Sequence, residues 1–581
     1  MKRYSGRISL DGKSGRIGYG LSVNGALSDI NNTMTESQYT NPIVAVYDIR
    51  PFEQVRNEDG TYNYTVNSIG DATNHTLDSF FGTDGDRRFY IQGYFNYDRA
   101  FGDHHVGGML LYNQDEYNSN VNSSLLNSLP KRRMGIAVRA AYDYANRYLF
   151  EFNAGYNGSE NFAKGHRFGF FPSVSVGWNI SQEKFWEPIR NIVSNFKIRG
   201  SYGLVGNDQV PYTRFLYMGI TTLNDSPSYQ TGYGSHKESH NGPTFSRFEN
   251  EDMTWEVGHK LNVGADIQLF NSLNLTVDAF REIRSNILTT KGSIPNYLGA
   301  AKTVIYGNFA KVKNWGVDLA VDYGKQINRD LSIQFKGTFT FARNRVMETD
   351  EAADIRPALS AVGKPLNTLW GYVADGLYID EAGIANNPTS TLGNITIAAG
   401  DVKYVDQPDV NGNYDGQIDS DDRVAIGHPT IPEIIYGFGP SITWKKWDFS
   451  VFFQGQANVS LMMSGFEPFG TQSKNNVLEW IAEDYWSKEN QNPNAKYPRL
   501  TKYNNNNNMQ SSTYWLRNAA FLKLKNAEVG YNFKWGRVYM SGTNLLTFSP
   551  FKLWDPEMGG GKGMAYPTQR TFNLGVQITF K

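Results

Sequence analysis

TFNLGVQITF, residues 571–580, alternates strictly between apolar side chains and polar or small ones. Because the side chains of a β-strand point alternately to its two faces, this stretch predicts a strand with one wholly apolar face. Its length is that of a tilted strand that crosses a bilayer. An apolar face needs a cover, and if the same pattern recurs along the chain, lipid is the cover that we expect.

The alternation does recur, in residues 136–144, 148–156, 174–180 and 447–454. Charged residues lie on the polar side of these stretches, among them Arg139, Asp143, Glu151 and Asp448. A face that carries charges in the middle of a strand is in contact with water and is not a packed core. The alternative is a soluble sheet whose outer side faces solvent.

Counting such segments predicts about seventeen strands, within the known range of membrane barrels. Short turns alternate with long polar connections, which we place at residues 31–86, 206–256, 346–433 and 458–517. The predicted fold class is therefore all-β, a transmembrane antiparallel β-barrel with long extracellular loops. A tract of five asparagines, residues 504–508, is expected to be a solvated and mobile part of one loop.

Composition agrees with a barrel and excludes several functions. The chain has 35 Tyr, 35 Phe and 12 Trp, an aromatic excess typical of the girdles at the two membrane interfaces. No apolar run long enough for a membrane-spanning helix is present. The absence of Cys rules out thiolate metal sites and thiol catalysis, and a net charge of −1 argues against nucleic-acid binding. The N-terminal residues do not form a signal peptide, so we expect an exported protein to have a further segment before them.

Residues 409–422 carry a dense series of oxygen-bearing side chains. With Asn411 as the first position, Gly416 falls at the sharp turn of a cation-binding loop. The predicted ligands of a structural Ca²⁺ or Mg²⁺ are Asn411, Asn413, Asp415, Asp419 and Asp422. Hard cations prefer such oxygen ligands, so we expect an ion-binding loop at residues 400–425. The alternative is a solvated acidic loop rich in Asx turns.

Aromatic residues also gather in the long loops, where ring faces beside polar groups suit sugar or peptide recognition. The candidate substrate residues are Tyr212, Tyr217, Tyr233, Trp370 and Tyr372. The alternative for each of them is packing between loops. No nucleophile and base pair, metalloprotease motif or other catalytic group is present, so no catalytic residue is predicted and we do not expect an enzyme.

Several short segments occur in the order typical of a known family. They are GFFPSVSVGW at 169–178, KIRGSYG at 197–203, NWGV at 314–317, GDVKY at 400–404, FLKLKN at 521–526, GTNL at 542–545 and DPE at 555–557. Each is weak alone, but their order extends over nearly the whole chain. The chain resembles the barrel portion of SusC/RagA-type TonB-dependent outer-membrane transporters.

This resemblance implies a barrel of about 22 strands around an N-terminal plug. It also implies import of glycan oligosaccharides or oligopeptides across the outer membrane of a Gram-negative, Bacteroidetes-like cell. The implied partners are outer-membrane lipid, a SusD-like surface lipoprotein, and the TonB–ExbB–ExbD complex acting through the plug. Residues 1–581 match neither plug nor TonB box, so we expect a partial barrel domain. A passive porin or surface-binding barrel is the alternative, and an outer-membrane enzyme is a third.

Overall fold

The computed structural model describes most of the chain. The described residues are 2–14, 17–36, 52–57, 59, 61–66, 78–119, 125–209, 214–293, 305–352, 355–393, 396–465, 477–501 and 505–580. No helix within these ranges is long and apolar enough to cross a membrane.

One large antiparallel sheet of 17 strands dominates the fold and confirms the predicted fold class and strand number. Its strands, in chain order, are β1 Lys2–Ser14, β2 Ile17–Glu36, β3 Asp78–Phe101, β4 His104–Ser119, β5 Lys131–Tyr144, β6 Tyr148–Ser159, β7 Phe168–Asn179, β8 Val193–Asn207, β9 Glu256–Leu269, β10 Leu273–Thr290, β11 Tyr306–Asn328, β12 Leu331–Glu348, β13 Ile434–Trp444, β14 Trp447–Ala457, β15 Phe521–Phe533, β16 Gly536–Phe548 and β17 Thr571–Ile578.

Each strand of this sheet pairs with the strand that follows it in the chain, so the sheet is a continuous up-and-down meander. Because the number of strands is odd, β1 and β17 run in the same direction. No pairing joins these two edge strands within the described part of the chain.

The register confirms the two faces that the alternation predicts. Leu574 lies opposite Met540 and Val576 lies opposite Val538, so apolar side chains of β16 and β17 share one face. Leu574 is 79% exposed and Val576 63% exposed, so the protein itself does not cover this face. A soluble protein rarely exposes an apolar surface that runs over a whole sheet, which argues against the soluble alternative.

Tight turns close one end of the sheet and long connections join the strands at the other end. The turn between β5 and β6 places Ala145 and Asn146 at φ values of 52° and 54°, a left-handed conformation that fits a short reversal. β2 extends to Glu36 and pairs there with Asp78 of β3. The predicted loop at 31–86 was therefore too long at both ends, because its polar residues continue the strands.

The long connections contain short elements of their own. The paired short strands are Phe52–Arg56 with Tyr62–Val66, Ile220–Thr231 with Glu238–Arg247, Leu369–Gly371 with Val424–Ile426, Ala374–Leu377 with Val402–Tyr404, Thr389–Ser390 with Gln417–Ile418, and Ser460–Met462 with Leu516–Asn518. The described helices of these connections are Leu125–Ser128, Glu381–Ala385 and Glu479–Ala482, and their 3₁₀ turns are Ser420–Asp422 and Pro556–Met558. Two further 3₁₀ turns, Ile180–Gln182 and Lys184–Ile189, lie at the other end of the sheet, in the connection between β7 and β8.

The hydrophobic cores of this molecule lie among the long connections. One core packs Leu461, Met463, Ile481 and Trp515 together with Phe551. A second core is formed by Tyr372, Leu377, Val402, Tyr404, Ile418, Trp486 and Ala495. The long loops at this end of the sheet are therefore folded against one another and are more than polar linkers.

Candidate functional site

Ion pairs cross the polar face of the sheet from strand to strand. The guanidinium of Arg199 on β8 donates to Asp266 on β9 at 3.2 Å and to both carboxylate oxygens of Asp278 on β10 at 2.7 Å. Arg139 on β5 donates to Glu151 on β6 at 2.6 Å. These ion pairs join opposite charges on strands one or two apart, so this part of the polar face is hydrated but nearly balanced.

A cavity of about 520 Å³ lies against this polar face. His105, Arg139 and Lys197 are among its lining residues. The two ring nitrogens of His105 face Asp98 at 3.0 Å and Asp143 at 2.9 Å. Lys197 has no ion-pair partner among the residues that the structure describes, so this surface offers charges of both signs to a hydrated solute or to another protein segment.

A second ionic cluster joins the connection between β16 and β17 to the polar face of β15. Lys523 is fully buried, and its ammonium donates to both oxygens of Asp555 at 2.6 and 2.7 Å and also to Glu557. Burial raises the pKa of Asp555, but the hydrogen bonds from Lys523 and Thr568 outweigh this effect and hold the pKa below its usual value. The three residues Lys523, Asp555 and Glu557 are called the Lys523 cluster below.

The described part of the asparagine tract, residues 505–508, belongs to a buried network, which contradicts the prediction of a solvated loop. Asn504 lies outside the described residues. Asn505, Asn507 and Asn508 are completely buried. Asn505 and Asn508 each donate to Asp401 Oδ1 at 2.9 Å, and Arg499 donates to both oxygens of Asp401 at 2.7 and 3.0 Å. Short amides can be buried here because their hydrogen bonds are satisfied, and they hold residues 505–508 against the strand that begins at Val402.

The acidic loop uses its side chains mainly to bind its own backbone. Asp409 Oδ1 accepts hydrogen bonds from the amides of Asn411 and Asn413 at 2.8 and 2.9 Å, which makes a tight Asx turn. Asp415 Oδ1 accepts from the amide of Gln417 at 2.9 Å. Asn411, Asn413 and Asp415, three of the predicted cation ligands, are therefore on an exposed turn.

The other two predicted ligands lie together beneath that turn. Asp422 is 2% exposed and accepts from the amides of Asp419 and Gln407 at 2.8 and 2.7 Å. Burial raises the pKa of Asp422, and the nearby carboxylates of Asp406 and Asp419 raise it further. Asp406 is also buried, and its Oδ1 has no hydrogen-bond partner within the described residues.

These carboxylates do not form a complete metal site as they stand. Within the described ranges, no group of three or more His, Cys, Asp or Glu side chains is arranged to hold a metal ion. Asp419 and Asp422 are brought together, whereas Asn411 and Asn413 lie on the Asp409 turn. The unpaired oxygen of Asp406 is the feature that fits a cation, because a buried carboxylate oxygen without a partner is costly.

The aromatic candidates fall in different environments. Tyr372 is 3% exposed and packs against Tyr404 with ring centroids 5.3 Å apart, so its ring belongs to a loop core and is not open to a substrate. Burial accordingly raises the pKa of Tyr372. Trp370 is half-buried in the adjacent short strand, and its carbonyl accepts from Arg423 at 3.3 Å.

The remaining aromatic candidates belong to the connection between β8 and β9. Tyr233 is 93% exposed at the tip of the hairpin formed by Ile220–Thr231 and Glu238–Arg247. Tyr217 makes an edge-on contact with Phe215 at 5.9 Å. Tyr212 lies outside the described residues. No ring contact among the described residues joins this loop to Trp370 and Tyr372, so the structure does not assemble one aromatic site.

Sequence reasoning did not identify the Lys523 cluster or Asp401 as functional positions. Both carried a signal, because Lys523 and Lys525 are charged residues in the FLKLKN segment and Asp401 begins the DVKY part of GDVKY. A charged residue close to a strand's buried end requires a partner. The partners lie 32 residues away for Asp555 and 98 residues away for Arg499, and no local pattern indicates them.

The chain is similar in sequence to proteins of one known family. A family model described as "TonB dependent receptor-like, beta-barrel" matches residues 2–545. TonB-dependent receptor P3 of Formosa agariphila is 26% identical over 479 residues, which are 76% of this chain and 45% of that relative. TonB-dependent receptor SusC of Bacteroides thetaiotaomicron is 24% identical over 464 residues, which are 76% of this chain and 43% of that relative. The chain thus spans about half the length of these curated relatives.

Among solved structures, the RagAB peptide transporter matches with a TM-score of 0.69 and 19% identity, over 100% of this chain and 72% of that chain. The same transporter in its open-open state matches with a TM-score of 0.69 and 18% identity, over 100% and 71% of the two chains. At this level of identity the likeness concerns the fold alone.

Proposed function

Because the chain belongs to the TonB-dependent receptor-like β-barrel family, we propose that the whole protein imports a glycan oligosaccharide or an oligopeptide across the outer membrane. Family members are outer-membrane receptors and transporters. Import by this protein would be transport without bond chemistry, so we also propose that it is not an enzyme.

One observation carries this proposal. The sheet has an exposed apolar face and an opposite face crossed by ion pairs, such as Arg199 with Asp266 and Asp278. A sheet with these two faces suits a wall between lipid and water, and the polar side can hold a hydrated solute. Charges that are paired along the wall do not trap a neutral or mixed-charge substrate.

The proposed partners follow from the same membership. SusC/RagA-type receptors pair with SusD-like lipoproteins and use TonB. We propose that a lipoprotein of this type covers the long-loop end of this protein and that TonB–ExbB–ExbD supplies the energy through a plug. The folded loop cores support a rigid rim to which such a lid could bind.

Barrel closure sets a geometric condition on the whole assembly. β1 and β17 run in the same direction, so an antiparallel barrel that contains both edges needs an odd number of further strands between them. A family barrel of about 22 strands meets this condition, since five further strands would join the 17 described here.

A passive porin is the competing function that the polar face also supports. Uptake of a fluorescein-labelled oligopeptide and of a labelled oligosaccharide by cells that produce the full-length protein would separate the two. We expect uptake of one class with TonB and none in cells without TonB or with the TonB box deleted. Uptake that is equal with and without TonB would favour the porin, and release of a cleaved product by purified protein would favour an enzyme.

A further inference from the structure

A second cavity, of about 490 Å³, lies on the polar face at the long-loop end of β9 to β12. Its floor is formed by residues at the strand positions whose side chains lie on the polar face, including Glu256, Arg284 and Asn314. Its wall comes from the connection between β12 and β13, through Leu366, Asn367 and Ile431. A cavity of this size is in the range of small-molecule and ligand-fragment sites.

The wall of this cavity is aliphatic and uncovered. Leu366 and Ile431 are each 59% exposed although they face a cavity with a polar floor. The amide of Leu366 donates to Asn344 Oδ1 at 2.7 Å, so this part of the wall is held in place by β12. A ligand with an apolar group would remove these two side chains from water, which is favourable in proportion to the area covered.

The charged groups of the floor are already paired within the protein. Glu256 accepts from the side-chain amide of Asn207 at 2.9 Å and lies 4.0 Å from the guanidinium of Arg284. Arg284 in turn donates to Glu282 at 2.9 Å. Glu433 accepts hydrogen bonds from Nε and Nη2 of Arg343, each at 2.7 Å. A floor whose ions are internally neutralised is rigid and does not select a strongly charged ligand.

Two amide side chains remain open to a ligand. The structure gives neither Asn314 nor Asn367 a side-chain hydrogen bond with the residues it describes. A primary amide offers a donor and an acceptor at once, which matches the N–H and C=O of a peptide backbone. The cavity therefore combines an aliphatic wall with free amide groups.

We propose that this cavity is a subsite for an oligopeptide that carries an aliphatic side chain, with Leu366 and Ile431 contacting that side chain and Asn314 and Asn367 binding the adjacent backbone amide. The proposal rests on the import function proposed above and selects the peptide class. An oligosaccharide fits less well, because its hydroxyls would lie unpaired against the aliphatic wall and no aromatic ring lines the cavity for stacking.

Binding of labelled tetrapeptides to the full-length protein in detergent tests the proposal. The probes are Gly-Leu-Gly-Leu, Gly-Ser-Gly-Ser and, for the sugar class, maltotetraose. We expect the leucine peptide to bind at least tenfold more tightly than the serine peptide and than maltotetraose. The variants Leu366→Ser, Ile431→Ser and Asn314→Ala should each weaken binding of the leucine peptide about tenfold or more.

Leu223→Ser is the matched control, because Leu223 is 80% exposed on a hairpin that does not line the cavity. The two wall variants replace residues that are more than half exposed, so their melting temperatures should equal that of the wild type. Equal binding of the leucine and serine peptides, tighter binding of maltotetraose, or wall variants that behave like Leu223→Ser would overturn the subsite.

The two proposals fail in different ways. If TonB-dependent uptake persists while the wall variants bind like the wild type, the subsite is wrong and the import function stands. If uptake of both classes is independent of TonB, the import function is wrong. Purified-protein binding would still test the subsite in that case.

Discussion

The Lys523 cluster allows a sharp test of how the connection between β16 and β17 is anchored. Lys523→Met removes a cation that is 0% exposed and binds Asp555 at 2.6 and 2.7 Å. The side chains of Asp555 and Glu557 are only 18% and 23% exposed, so two carboxylates would remain close together with little water. We expect the segment around residues 555–558 to detach more readily from the sheet.

The size of the effect follows from burial. Removing one partner of a buried ion pair costs about 3–5 kcal/mol. Lys525 stays in the variant and contacts Glu557 at 3.1 and 3.2 Å, so the low end, about 3 kcal/mol, applies. This is roughly a 100-fold increase in the equilibrium constant for local opening. Lys525→Met is the matched control, and we expect it to cost about 1 kcal/mol or less because Lys525 is partly exposed.

Hydrogen exchange of the full-length protein measures local opening directly. The amide of Met558 donates to the Asp555 carbonyl at 2.9 Å and should lose protection in Lys523→Met. The reasoning is refuted if Lys525→Met accelerates exchange as much as Lys523→Met, or if neither variant changes it. Either result would mean that the apolar contacts of Phe551 and Trp554 hold this segment without the ion pairs.

The same cluster predicts a dependence on pH. The folded pKa of Asp555 lies below its ordinary value of 3.8. A depressed carboxyl pKa stabilises the fold above the unfolded pKa, and this stabilisation is lost as pH falls through the folded pKa. Attachment of the segment should therefore be constant from neutral pH down to about pH 4 and weaken below it. Fluorescence of Trp554, whose indole donates to the Gly559 carbonyl at 2.9 Å, reports this change. A constant signal down to pH 2 would contradict it.

Three further predictions concern the sheet and the long loops. Leu574→Arg on the apolar face should lower the free energy of unfolding, measured by refolding in detergent, by about 2–4 kcal/mol. Gln577→Arg on the polar face should lower it by less than about 1 kcal/mol. Equal losses would contradict the assignment of the apolar face to lipid. Asp401→Ala should destabilise its loop by about 3–5 kcal/mol, because Arg499 loses its buried partner, and unchanged proteolysis of residues 396–405 would contradict this. We also predict that Ca²⁺ slows cleavage of the acidic loop and that Asp422→Asn abolishes this effect. If neither Ca²⁺ nor a chelator changes the rate of cleavage, the acidic loop does not bind Ca²⁺.

Part of the candidate site could be predicted from the sequence, because the alternation of side chains along a strand shows which residues lie on the polar face. Arg139 and Glu151 were placed on the polar face by alternation alone, and the structure joins them at 2.6 Å. The sequence also located the acidic loop, but it did not indicate that Asp406 belongs with the buried carboxylates of this loop. Asp406 lies outside the cation-loop spacing and becomes relevant only because folding buries it beside Asp422.

By itself, the sequence determined the strands, their two faces and the family. Side-chain direction in a strand repeats every two residues, so stretches such as 571–578 reveal their apolar face without knowledge of a partner. Only the tertiary structure decided what the long connections do. The asparagine tract has the composition of a solvated loop, yet Asn505 binds Asp401 across 104 residues of chain. Whether such polar groups are buried depends on hydrogen bonds from distant segments, and those contacts exist only once the loops have packed together.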